Sequence, residues 1–167
     1  MDRQTRPGRA IPSQSLGDLV TAHEQYGRVE SREYIYPIAL DRVNRALTLN
    51  EGLRVSEGIA LLLDSWNRRF YSATGTAFDK QHINSIDRLF ERWRGTLVAY
   101  RGRRIESLAY EDGPQIQVIF NAFEALLGKV GAAKALHLLA PRFLPLWDNP
   151  IAGGYGLLFQ DWGTKRR

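Results

Sequence analysis

The sequence predicts an all-α fold, a single-domain multi-helix bundle. Three observations carry this. Apolar residues recur at three- and four-residue spacing through most of the chain, the period of one buried helix face. Alternating apolar and polar residues, the strand signature, are nearly absent. The connections between periodic stretches are short, which favours antiparallel neighbouring helices. The 167 residues suit one domain, long enough to bury a core. Residues 1–14, with Pro7, Gly8 and Pro12, read as a flexible lead-in, and 15–167 as the helical domain.

Each element follows from local pattern. Residues 15–30 are weakly helical, with Leu16, Leu19, Val20 and His23 at helical spacing. After the aromatic segment Tyr34-Ile35-Tyr36, Pro37 suits the first turn of a helix over 37–48, with Leu40, Val43 and Leu47 on one face. Asn50 is placed to cap the next helix. Its stripe is Val55, Ile59, Leu62, Leu63, Trp66 and Phe70, running to near Tyr71 and ending at 73–76. Asp79 caps a long helix carrying Ile83, Ile86, Leu89, Phe90, Trp93, Leu97 and Tyr100. Gly95 weakens that helix without breaking it, and Gly102 ends it. Residues 104–110 are a short helix or turn. Asp112-Gly113-Pro114 starts a further helix through Ile116, Ile119, Phe120 and Phe123 to Leu127.

Composition narrows the function classes. There is no cysteine, which removes disulfides and thiolate metal sites. No run of about 18 uncharged apolar residues predicts a membrane span. No secretory signal is visible at the N-terminus, so cytoplasm is the expected compartment. His23, His82 and His137 are scattered, and no metal site is expected. No nucleophile elbow, phosphate-binding loop or dinucleotide fingerprint appears, and no cofactor is expected. The net charge of +5 and pI near 9.7 suit a partner carrying phosphates, DNA among them. Arg92, Arg94, Arg101, Arg103 and Arg104 are interleaved with Trp93 and Tyr100. That cluster is either a solvated helix face or a phosphate track.

The stretch 126–156 holds the candidate chemistry. A turn, Gly128-Lys129-Val130-Gly131, separates the helix ending at Leu127 from a second helix over 131–140. That helix puts Ala132, Ala135, Leu136 and Leu139 on one face and Lys134 with His137 on the other. Glycines at a helix start leave amide donors uncovered, so Gly128, Val130 and Gly131 could hold a phosphate and Lys129 would add charge. Equally, the glycines could serve backbone geometry alone. A loop stiffened by Pro141 and Pro145 and pinned by Phe143, Leu144, Leu146 and Trp147 then presents Asp148, just before Asn149-Pro150. Asp148 caps a third helix, or faces a cleft shared with Lys134, or both.

A glycine hairpin, then Lys134, then an apolar loop ending in Asp148 at a helix start resembles the helix-hairpin-helix DNA glycosylase superfamily over 112–156. The resemblance implies a hairpin that grips the DNA backbone and a base flipped into a cleft between helices. It implies Asp148 as the carboxylate assisting base loss, and Lys134 as a nucleophile forming a Schiff base or as its electrostatic partner. Trp66, His137, Trp147 and Tyr155 would then line the base pocket. The pattern departs from the family's at several points, the fourteen positions from Lys134 to Asp148 being a few fewer than the family uses. The turn reads Leu-Leu-Gly-Lys-Val-Gly where the family has Leu-Pro-Gly-Val-Gly. Aligning Gly131 with the second hairpin glycine puts Ala133 at the nucleophile's position, with Lys134 about 100° further round the helix. Trp147-Asp148-Asn149-Pro150 replaces Val-Asp-Thr-His. The run from Lys134 to Asp148 is also similar to a motif of uncharacterised bacterial proteins, which carries no chemistry to transfer. The competing expectation is a non-catalytic helical binding module. In it Lys134 and His137 are surface groups, Asp148 is a cap and the tryptophans are core.

Overall fold

The computed structural model describes residues 15–29, 34–49, 52–75 and 78–146. Among these residues there are helices and turns and no strand, so the fold is an all-α multi-helix bundle, as the periodicity predicts. The order is α1 (Leu16–Val29), α2 (Ile35–Thr48), α3 (Val55–Trp66), α4 (Arg68–Thr74), α5 (Lys80–Arg101), a 3-10 turn (Ile105–Ser107) and α6 (Asp112–Leu139). The chain divides into two compact units. One comprises residues 1–29 and 147–167 and contains α1; the other, residues 30–146, contains α2 to α6.

Ser15 and Asp18 open α1 as a reciprocal pair. The Ser15 amide donates to the Asp18 carboxylate at 2.9 Å, and the Asp18 amide donates to Ser15 Oγ at 3.1 Å. Two amides that a helix start leaves open are thereby satisfied. The hydrogen bonds from Ser15 also hold the Asp18 carboxyl below its ordinary pKa.

In the second unit α2 starts two residues before the expected Pro37, which sits inside the first turn where its missing N–H costs nothing. Ala39 and Val43 are fully buried against α3. A Cβ on Gly58 would stand 2.6 Å from Val43 Cγ2 and 2.7 Å from the Ala39 carbonyl oxygen. Only glycine permits so close a backbone approach. Arg42 and Glu57 pair across the same seam at 2.6 Å.

The apolar stripe from Val55 to Tyr71 predicts one helix, and the structure has two. The break is Asn67, buried, with φ −131° and ψ 23°. Its carbonyl accepts the Phe70 amide at 3.0 Å, which restarts the chain as α4. The start of α3 also differs. Asn50 lies outside the described residues, and α3 begins at Val55 with no side-chain cap from Arg54. The cap comes from another helix: the Asp87 carboxylate of α5 accepts the Ser56 amide at 3.1 Å and is itself gripped by Arg54. A carboxylate there suits the positive end of the helix.

Asp79 caps α5, accepting the His82 amide at 2.8 Å. Gly95 leaves that helix unbroken, and Gly102 follows its last residue. The expected helix or turn at 104–110 is the 3-10 turn, and α6 starts at Asp112 as predicted. By length and composition α6 is apolar enough to cross a membrane. Its buried face, including Ile119, Phe123, Leu127, Leu136 and Leu139, is part of the hydrophobic core. It also carries Glu124, Lys129 and Lys134 and is kinked at Gly128.

Candidate functional site

The expected four-residue turn at 128–131 is absent from the structure, where α6 runs on through these positions. Only Gly128 leaves helical geometry, with φ 70° and ψ 165°, and the helix resumes at Lys129. This backbone region is essentially restricted to glycine. A second constraint coincides with it, since a Cβ at Gly128 would lie 2.6 Å from the Phe70 ring. Gly131 is fixed differently: it is buried, and a Cβ there would meet Asn67 Nδ2 and Leu127 Cβ, both at 2.9 Å. Both glycines therefore have packing reasons. Lys129 and Val130 project outward from the kink, Val130 being 55% exposed.

Two helix breaks meet here and satisfy each other. The half of α6 ending at Leu127 leaves a carbonyl that accepts from Asn67 Nδ2 at 3.4 Å. The last residue of α3, Trp66, leaves a carbonyl that accepts from the Lys134 ammonium. A cation at a helix C-terminus is also favoured by the dipole. The same ammonium lies over the Trp66 ring, 5.5 Å from its centroid. Attraction to the indole face adds to the carbonyl bond.

Three of the sequence-selected residues, Lys134, Trp66 and His137, thus fall in one cluster with a fourth, Tyr36. The Tyr36 ring stacks on Trp66 at 6.5 Å and 24°, and on His137 at 5.5 Å and 25°. His137 Nδ1 lies 3.0 Å from the Leu144 carbonyl and Nε2 lies 2.8 Å from the Tyr36 hydroxyl. A carbonyl only accepts, so Nδ1 carries the hydrogen and Nε2 accepts from Tyr36. Burial lowers the His137 pKa against the raising effect of that carbonyl, which favours the neutral ring. Burial also raises the Tyr36 pKa, partly offset by Arg101. The Trp66 Nε1 hydrogen is buried with no acceptor, a state that costs about 1–3 kcal/mol. Tyr36, Trp66, Lys134 and His137 are all half-buried. Chemically, the cluster joins a tyrosine ring stacked with an indole and with an imidazole, one amine and a hydroxyl–imidazole pair.

Trp147, Asp148 and Tyr155, with the expected third helix, lie outside the described residues. Sequence reading missed Tyr36, which stood in an aromatic segment but 101 positions from its imidazole partner. Among the described residues, no group of three or more His, Asp or Glu side chains is arranged to hold a metal ion.

The basic segment 92–104 is mostly engaged. Arg94 pairs with Glu91 at 2.8 Å and Arg104 with Glu106 at 3.3 Å. Arg101 donates to the carbonyls of Leu138 and Leu139 at 2.8 and 2.7 Å and to Asn44. Arg103 grips both Asp112 oxygens at 2.7 Å and lies over the Phe143 ring at 4.1 Å. The hydrogen bonds from Arg103 pull the Asp112 carboxyl down to about 2. Arg92 is exposed and lies over the Trp93 ring, 5.3 Å from its centroid.

Compared with family models, curated proteins and solved structures, the chain matches none.

Proposed function

We propose that the chain is a DNA-binding protein of the base-excision type, acting on a nucleotide turned out of the duplex. The observation that carries this reading is the convergence of Lys134 with Trp66, Tyr36 and His137 beside the kink of α6. Aromatic faces stack on an extruded base, and an amine beside them can attack the exposed sugar carbon. The net charge of +5 supports association with a polyanion. In this reading Lys129 and the amides near the kink contact phosphate. The Lys134 nitrogen adds to the sugar aldehyde of an abasic site, and water leaves as the imine forms. Before that step Lys134 must release the Trp66 carbonyl and give up a proton, so that its lone pair is free.

One observation favours a second reading, the non-catalytic module. The Lys134 ammonium already serves the end of α3, a role that needs only a cation. Borohydride, which reduces an imine to a stable secondary amine, separates the two. With abasic and base-damaged duplexes, the wild type should give a covalent protein–DNA adduct. Lys134→Arg, which keeps the cation, should give none. Absence of any adduct and of strand cleavage across a broad lesion panel rejects the enzymatic reading. DNA affinity without an adduct assigns the module.

A further inference from the structure

A groove of about 410 Å³ lies between α5 and the first half of α6, away from the Lys134 cluster. Its apolar lining is Leu89, Ala122, Ala125 and Leu126. Arg88 and Arg92 stand one helical turn apart on its α5 side, both exposed. Neither guanidinium pairs with a carboxylate among the described residues. Arg88 donates to Ser85 Oγ at 2.9 Å, and Arg92 rests on the Trp93 ring. Five other arginines of this unit (42, 54, 94, 103 and 104) are paired with carboxylates.

The register places this groove. Gln115 of α6 donates to Thr96 of α5 at 3.4 Å, whereas the groove joins 85–92 to 122–126. The two helices are therefore antiparallel, and the groove occupies the end of their seam that leads to Gly128 and the exposed Lys129.

We infer that this groove is a second nucleic-acid contact, in which Arg88 and Arg92 each neutralise one backbone phosphate. The inference rests on the DNA-binding reading and extends it to a named surface. Charge decides in favour of a phosphate chain. The lining offers two leucines, fewer than the row of pockets that an amphipathic helix needs for its anchors. Two arginines one turn apart, with Cβ atoms about 5–6 Å from each other, suit consecutive anionic groups. Phosphate contacts of this kind position a duplex without reading its sequence.

The test is the salt dependence of duplex DNA binding by the full chain, for wild type, R88A/R92A and R88K/R92K. All three should keep the helical circular dichroism of the wild type, because both side chains are exposed. The wild-type affinity should fall linearly on logarithmic axes as salt rises. R88A/R92A should lower that slope by about 1.8, from two contacts at about 0.9 each. R88K/R92K, which retains the charges, should restore it. An unchanged slope in R88A/R92A, with the wild type still binding, overturns this inference alone and leaves the groove to an acidic protein surface. A wild type with no salt-dependent DNA binding overturns both the inference and the reading beneath it.

Discussion

Single residues fix the kink on which the candidate site depends. Gly128 and Gly75 both have positive φ, but their surroundings differ. A side chain at Gly75 would meet nothing within 4 Å, whereas one at Gly128 would enter the Phe70 ring. Gly75→Ala should therefore cost only the backbone term, about 1 kcal/mol. Gly128→Ala adds overpacking to a steeper backbone penalty, and should cost about 2–5 kcal/mol. Urea unfolding of the two variants checks the difference. Equal losses would mean that Phe70 is free to yield. The sequence marked both 128 and 131 as glycines of a turn. It could not show that Phe70 and Asn67, more than fifty positions away, set those requirements, because periodicity reports a residue's own face and not its distant neighbour.

Several helix ends in the second unit are closed by side chains from distant parts of the chain. Asp87 of α5 caps α3, Lys134 of α6 closes the end of α3, and Asn67 closes the first half of α6. Arg101 of α5 takes the last two carbonyls of α6 and reaches Asn44 of α2. Replacing Arg101 with Met would leave those carbonyls without their charged donor and should cost about 1.5–3 kcal/mol. Lys should recover only part of this, since it lacks the planar fork that spans several acceptors. Thermal unfolding of the two variants is the check, and a Lys variant as stable as wild type would show that charge alone matters. Local caps were legible where the signal is local, as with Asp79 and the Asp112 start. The split at Asn67 was not, because the stripe from Val55 to Tyr71 continues across it and the partner of the Asn67 side chain, the Leu127 carbonyl, lies 60 positions away.

For the molecule as a whole, titration predicts how stability responds to acid. Burial lowers the pKa of His137 and of His82 in the folded chain. Below the ordinary value of 6.5 the unfolded chain therefore binds protons that the folded chain resists, and stability falls as pH drops through that range. Asp112 acts lower down. Its carboxyl stands at about 2 against an ordinary 3.8, so its contribution is complete above 3.8 and disappears as pH falls through 2. Urea unfolding across pH should thus show two descending stages, and Asp112→Asn should shrink the second. A variant whose profile below pH 4 matches wild type would place the acid sensitivity elsewhere. The all-α fold was legible because helical period, absent alternation and short connections agree. The candidate site was legible in part: Lys134, Trp66 and His137 do meet. Tyr36, which bridges Trp66 and His137, was hidden by chain distance. The central claim is that the amine at this meeting point does chemistry on DNA. Mass spectrometry of the borohydride-reduced complex tests it most directly. The account predicts a deoxyribose adduct on Lys134, within the tryptic peptide 130–142. An adduct confined to Lys129 or Lys80, or none at all, would contradict it.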